Sequence, residues 1–421
     1  MRGSYSGNTL AFQAKARSSI LLPRSIIMKL PENFCLAPFV QHTTHPSGSC
    51  SPCPYLGGTA WPASSSNILE QWNSQHLEAL RNDFLENKKP ELCHRCWHEE
   101  DNNKRSLRLR LFDPVNHTSD YSFGNMELVE QQLTNNNYLA GPLVLTIKSG
   151  NLCNAKCRVC HPNDSSRWIS DAEKLFNITG KRYYSLNQEE TNWSELQIEE
   201  ILTLSKNLVR LELFGGEPTY NKKVALILQK IIEAGEANHI SLYINTNCGT
   251  DIPKVMPYVT EFKDIELGVS LDGVGPHFEY IRHGINYDVA IANIRSAQRY
   301  FLQSKTKFWI DSISTVSILN VYYLPELKAA VKKILPLAPF WNLLIEPKHL
   351  FIKNMPEHVK HAVIEKLGAD DDFQELISVI QQPAELEYWD QFLEITQGLD
   401  SIRKENFKTT FPEFSNIIDN K

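Results

Sequence analysis

Pro142-Leu-Val-Leu-Thr-Ile-Lys-Ser-Gly-Asn-Leu-Cys153-Asn-Ala-Lys-Cys157-Arg-Val-Cys160 carries two readings in one stretch. Its first half sets Leu143, Leu145 and Ile147 on one face of a strand. Its second half is a C-x3-C-x2-C run placed directly after that strand. Downstream, strand and helix patterns alternate. Leu208–Phe214, His239–Asn245, Ile265–Leu271, Lys307–Ser317 and Trp341–Leu350 read as strands. Lys223–Ala234, Ile252–Phe262, Asp288–Gln303 and Leu324–Leu335 read as helices. This alternation predicts βαβ units and a parallel sheet over residues 140–350. The expected fold class is α/β, a partial (βα)6 TIM-type barrel, with a doubly wound open sheet as the alternative.

Three thiolates on a short loop can hold three irons of a 4Fe–4S cubane. The fourth iron then lacks a protein ligand, and an open position is what a catalytic centre needs. A structural zinc loop is the competing reading of the same spacing. Active sites of α/β barrels lie at the C-terminal ends of the strands, so the segments there carry weight. The second strand ends in Gly215-Gly216-Glu217-Pro218, the third in Asn245-Thr246-Asn247 and the fourth in Ser270-Leu271-Asp272-Gly273. Arg282 follows twelve residues after Ser270, and Thr315-Val316-Ser317 with Asn320 closes the fifth. Taken singly, these are a Gly-Gly turn with a solvated acid, a polar turn and a surface ion pair.

Together and in this order, the segments resemble the radical S-adenosylmethionine (SAM) superfamily. The resemblance implies that Cys153, Cys157 and Cys160 bind a catalytic 4Fe–4S cluster. It further implies that Gly215, Gly216, Glu217 and Pro218 meet the amino group of S-adenosyl-L-methionine. Asn245 and Thr246 would lie near its ribose, and Ser270, Asp272 and Arg282 near its carboxylate. The expected chemistry is reductive cleavage to a 5′-deoxyadenosyl radical that abstracts hydrogen from a substrate. An electron donor such as a flavodoxin or ferredoxin is then implied. Two departures stand out: Val159 replaces a frequent aromatic residue, and Cys248 replaces a glycine after Asn247.

Five further cysteines precede the barrel: Cys35, Cys50, Cys53, Cys93 and Cys96. Residues 30–116 resemble the Twitch or SPASM auxiliary-cluster modules of peptide-modifying radical enzymes. By that resemblance Cys35, Cys53, Cys93 and Cys96 are the ligands of an auxiliary 4Fe–4S cluster, and Cys50 is spare. Two C-x2-C pairs equally describe a zinc site. His94 and His98 read as surface residues. Ser66–Leu85 reads as one helix and Asn102–Arg110 as a solvated charged face.

Composition sets outer limits. The chain has 421 residues, a net charge of −6 and 42% hydrophobic residues, with a pI near 6.1. That balance gives no basis for nucleic-acid or anionic-membrane binding. No stretch reaches the about 20 apolar residues that span a bilayer, and clustered cysteines without a secretory signal point to a reducing cytoplasm. Residues 1–29, with Arg2, Lys15, Arg17, Arg24 and Lys29, read as an upstream extension before Met28 or a transit-like segment. Residues 351–421 read as a helical tail of three helices, with Trp389, Phe392, Leu393 and Ile395 on an apolar face. In the long connection Pro162–Trp193, Trp168, Tyr183 and Tyr184 are candidates for a pocket wall or for plain packing. The expected substrate is a peptide or protein. A small molecule or carbohydrate is the alternative substrate, and a non-catalytic metal-binding interaction protein the alternative class.

Overall fold

The structure is a computed structural model that describes residues 30–56, 61, 67–101, 106–112, 126–185 and 193–419. The predicted extension, residues 1–29, lies outside the described residues. Eight strands form one sheet: β1 (Gln41–Thr44), β2 (Cys50–Ser51), β3 (Val144–Lys148), β4 (Arg210–Phe214), β5 (Ser241–Thr246), β6 (Asp264–Ser270), β7 (Lys307–Val316) and β8 (Phe340–Leu343). Their order is β2-β1-β3-β4-β5-β6-β7-β8. From β3 onward each strand adds in parallel beside its predecessor. From β3 to β8 the order never reverses, and the one reversal, at β1, is the antiparallel pairing with β2; the parallel part is therefore singly wound in the manner of a barrel, not doubly wound.

The two faces differ in chemistry because side chains alternate along each strand. One registered row is Thr44, Ile147, Leu213, Ile244, Leu267 and Ile310. Most of this row belongs to the main core, which also takes Ile198, Ile201, Val224, Ile227 and Ile231 from the helices Glu195–Ser205 and Lys222–Glu233. The neighbouring row is Thr43, Thr146, Glu212, Tyr243, Glu266 and Trp309. There Thr146 Oγ1 donates to Glu212 Oε2 at 2.7 Å, and Arg210 pairs with Glu212 at 2.7 Å and Glu266 at 2.9 Å. The inner face of the sheet is therefore partly polar, and its charges are paired, although Thr43 Oγ1 and Glu266 Oε1 are buried without a partner among the described residues.

Several expectations are corrected. The residues before the barrel join its sheet: β1 runs parallel to β3, and β2 is antiparallel to β1. The run Gln41-His-Thr-Thr44 lacks apolar alternation, so only the ladder to Val144–Ile147 makes it a strand. Ser66–Leu85 is two helices, Ile68–Trp72 and Gln75–Leu85. Ser74 accepts from Leu77 N at 3.4 Å and restarts the helix as an N-cap. In the stretch Asn102–Arg110 the described part is buried rather than solvated. Arg108 pairs with Glu100 at 2.5 Å and donates to Phe34 O at 2.8 Å.

The tail holds five helices: Glu357–Leu367, Gln374–Ile380, Leu386–Arg403, Phe407–Thr410 and Pro412–Asp419. Trp389, Phe392 and Ile395 are buried, whereas Leu393 is exposed. Trp168 and Tyr184 pack with Leu175, Ile395 and Leu399 as a small core between the helix Trp168–Thr179 and the tail. Tyr183 bonds to Glu394. These aromatics pack the tail onto the barrel. Among the described residues no helix is long and apolar enough to cross a membrane.

Candidate active site

The cysteine loop leaves β3 and is held by backbone bonds on two sides. Ser149 N donates to Phe214 O at 2.6 Å, and Gly216 N and Glu217 N donate to Gly150 O and Leu152 O at 2.7 and 2.9 Å. On the other side Lys156 N donates to His283 O at 3.0 Å and Arg158 N to Ile281 O at 2.6 Å. Trp168 Nε1 reaches Cys157 O at 2.7 Å. Cys153 and Cys157 are buried and Cys160 is half-buried. Burial pushes the Cys153 thiol up to about 12, with the nearby Cys157 adding to the rise. Burial also raises Cys157 and Cys160, and Cys160 feels both other thiols. Three donors oppose this where charge would sit. Ala155 N lies 3.4 Å and Asn247 Nδ2 3.7 Å from Cys153 Sγ, and Arg282 Nη1 lies 3.9 Å from Cys157 Sγ.

The Gly-Gly pair serves the loop's close approach. Gly215 has φ +90°, and a Cβ there would sit 2.7 Å from Ser149 N. A Cβ on Gly216 would sit 2.4 Å from Leu152 O. Glycine is needed because backbone meets backbone. Glu217 is buried, not solvated. Its Oε1 accepts from Thr219 N at 3.2 Å, Thr219 Oγ1 at 2.5 Å and Thr246 Oγ1 at 2.9 Å. Its Oε2 accepts only from Asn247 N, at 2.7 Å. Burial raises its carboxyl, and these donors pull it down. Oε2 keeps one lone pair for a further donor such as an ammonium group. Pro218 is buried and opens the turn Pro218–Tyr220.

Across the site, Asn245 Oδ1 is buried without a partner. Thr246 Oγ1 is committed to Glu217 and to Cys248 N, the latter at 3.1 Å. Ser270 is buried at the end of β6. Arg282 is no surface ion pair: its Nη2 meets the fully buried Asp272 Oδ2 at 2.8 Å. Asp272 Oδ1 in turn accepts from Thr315 N at 2.7 Å, and Asn320 Nδ2 donates to Asp272 O at 3.0 Å. Arg282 Nε remains buried and unpartnered. The donor set thus fits a group with an amine, a carboxylate and a hydroxylated ring. Glu217 Oε2 would take the first, Arg282 Nε the second, and Asn245 Oδ1 the third.

The second cysteine set also comes together. Cys35, Cys53, Cys93 and Cys96 line one cavity walled by Leu56, Phe84, Leu107 and Leu111. Burial pushes Cys35 well up, and Cys53, Cys93 and Cys96 all add to it. Burial likewise carries Cys93 to about 12 and Cys53 to about 11. The thiols ring the cavity: among the described residues no three metal-binding side chains are grouped to hold a single ion. Cys50 stands apart, buried on β2. His94 and His98 are exposed.

Sequence reading missed Asn247, which touches Glu217, Asn154 and Cys153, although it lies in the quoted Asn-Thr-Asn run. It also missed Asp400 and Glu405, which reach Arg158 from 242 and 247 positions away. No local signal marks such long-range partners.

The Radical SAM superfamily model matches residues 147–310. Among solved structures, native anSMEcpe with bound AdoMet is 17% identical, with 49% of this chain and 52% of that one covered and a TM-score of 0.35. Streptococcus suis SuiB bound to precursor peptide SuiA is 15% identical, with 76% and 64% covered and a TM-score of 0.34. The chain spans about half the length of anSMEcpe. No curated protein matches it.

Proposed function

We propose, from the match of residues 147–310 to the Radical SAM superfamily model and from the geometry of the site, that this chain is an enzyme that cleaves S-adenosyl-L-methionine reductively and abstracts hydrogen from a peptide or protein substrate. The observation that carries the reading is the juxtaposition of three thiols, two buried and one half-buried, with Arg282 and Glu217. Arg282 lies 3.9 Å from Cys157, and Glu217 raises Cys153 by charge. When bound, a 4Fe–4S cluster with one open iron would supply the electron for carbon–sulfur cleavage. Cys153, Cys157 and Cys160 would hold that cluster. Glu217 would orient the cofactor's ammonium and Arg282 its carboxylate. Asn245 would accept from the ribose, and Ser270 would lie beside the carboxylate. Asp272, with Thr315 and Asn320 behind it, keeps Arg282 aimed. Burial of the thiols and of Glu217 excludes water around the reacting centre.

The gathering of Cys35, Cys53, Cys93 and Cys96 around one cavity supports an auxiliary 4Fe–4S cluster there. The module and the Ser-Leu-Asp-Gly segment together support a peptide substrate, and a flavodoxin or ferredoxin would supply electrons. The test is anaerobic reconstitution followed by iron and sulfide quantification. We expect about eight irons per chain, falling to about four in a Cys153/Cys157/Cys160 triple alanine variant. With reductant and cofactor, 5′-deoxyadenosine should form in the wild type and not in that variant. Its absence from fully loaded wild type would refute the catalytic reading.

A further inference from the structure

Two cationic residues flank Cys157: Arg158 is held by two tail carboxylates, and Lys156 by Asp171 of the helix Trp168–Thr179, which the tail's Arg403 grips in turn. Arg158 has a side chain only 2% exposed. Its Nη2 donates to Asp400 Oδ1 at 2.6 Å and to Glu405 Oε2 at 2.7 Å. Its guanidinium lies 3.7 Å from the Tyr280 ring centroid, and the Tyr280 hydroxyl donates to the same Asp400 oxygen at 2.7 Å. Lys156 meets Asp171 Oδ1 at 2.9 Å, and the opposite oxygen of Asp171 accepts from Arg403 Nε at 2.8 Å.

Glu405 reaches one more element. Its Oε1 meets His283 Nδ1 at 2.5 Å. The left-handed Lys404, φ +56°, ends the helix Leu386–Arg403 and turns the chain just before Glu405. One carboxylate therefore bridges Arg158, in the cysteine loop, and His283, beside Arg282. These are the two strips that already share the bonds Lys156 N to His283 O and Arg158 N to Ile281 O. An isolated surface pair would contribute little. A buried cation with two carboxylates leaves a costly unpaired charge when either partner is removed, so the grip is specific in geometry.

We propose that the tail, residues 386–410, is a clamp. Asp400 and Glu405 position Arg158 and His283 so that Cys157 and Arg282 are fixed relative to each other before any cluster is built. The clamp's meaning for cofactor binding rests on the radical reading above; its existence does not.

The double variant Asp400→Asn/Glu405→Gln removes charge while keeping shape. In iron-free full-length protein, hydrogen exchange followed by mass spectrometry should show residues 153–160 and 279–284 exchanging about tenfold faster or more, with β4–β6 unchanged. Arg158→Lys should retain most of the protection and Arg158→Met should lose it. In reconstituted protein, AdoMet should shift the electron paramagnetic resonance spectrum of the reduced wild-type cluster, and this shift should be weakened in the double variant. Unchanged exchange in both segments would overturn the clamp. So would a rise confined to one segment, or an equal rise through β4–β6. If the wild-type spectrum ignores AdoMet, the functional reading fails while the exchange data still judge the clamp.

Discussion

Gly216 shows what one hydrogen atom in place of a methyl group does. Gly216→Ala would drive Cβ to 2.4 Å from Leu152 O, and neither backbone segment can yield. We expect a loss of about 1–3 kcal/mol in chemical unfolding, with reduced iron uptake at the cysteine loop. Cys248 tells the complementary story. It sits at φ +61°, where glycine is at ease and other residues are strained by roughly 1–2 kcal/mol. The glycine anticipated after Asn247 thus has a backbone reason. Cys248→Gly should fall within about 1 kcal/mol of wild type, since relief of strain offsets lost packing and added chain entropy. Cys248→Val should be clearly worse, because a β-branched side chain resists this region.

Neither residue's environment was legible from sequence. Asn-Thr-Asn does stand at the end of β5, and Gly-Gly-Glu-Pro does hold a buried carboxylate. That the glycines face the loop backbone, and that Glu217 takes four donors, depends on contacts between strands far apart in the chain. Buried histidines add a pH signature. Burial lowers His42 and His349 to about 4 from 6.5. The unfolded chain takes up protons first as pH falls, so stability present above about 6.5 is lost progressively down toward about 4. On the order of 2 kcal/mol per histidine is gone by about pH 5. Urea midpoints should fall over that range, and His349→Gln should flatten the slope.

At the scale of elements, strands β3–β6 were readable because Leu, Ile and Val alternate in them, whereas β8, expected over Trp341–Leu350, has one such residue and spans only Phe340–Leu343. The cysteine module was readable only as cysteines. Its strand β1 is polar, and its helix Ile68–Trp72 starts on the local cap Asn67, which accepts from Glu70 N at 2.7 Å, and on a second, distant carboxylate. Glu200, from the helix Glu195–Ser205, accepts from Ile68 N at 2.7 Å and Leu69 N at 3.0 Å. A carboxylate at a helix start satisfies open N–H groups and the positive end of the dipole. Glu200→Ala should cost about 1 kcal/mol in unfolding. It should also raise exchange at residues 68–72 ahead of β4–β6.

At the scale of the molecule, the expected division at residue 116 does not match the hydrogen-bonding pattern. β1 pairs with β3 over Gln41–Val144 to Thr44–Ile147, and β3 runs straight into Cys153. Leu143 and Val144 also belong to the core of the cysteine module. The module is thus built into the scaffold rather than appended to it. A barrel begun at residue 140 would present a bare strand edge, which invites aggregation. Two separately expressed pieces, cut at 116, should instead recognise each other: the polar strand of one is the missing border of the other. Mixed, they should co-elute as a stoichiometric pair, while Thr43→Pro in the smaller piece, by breaking the ladder, should abolish the reunion.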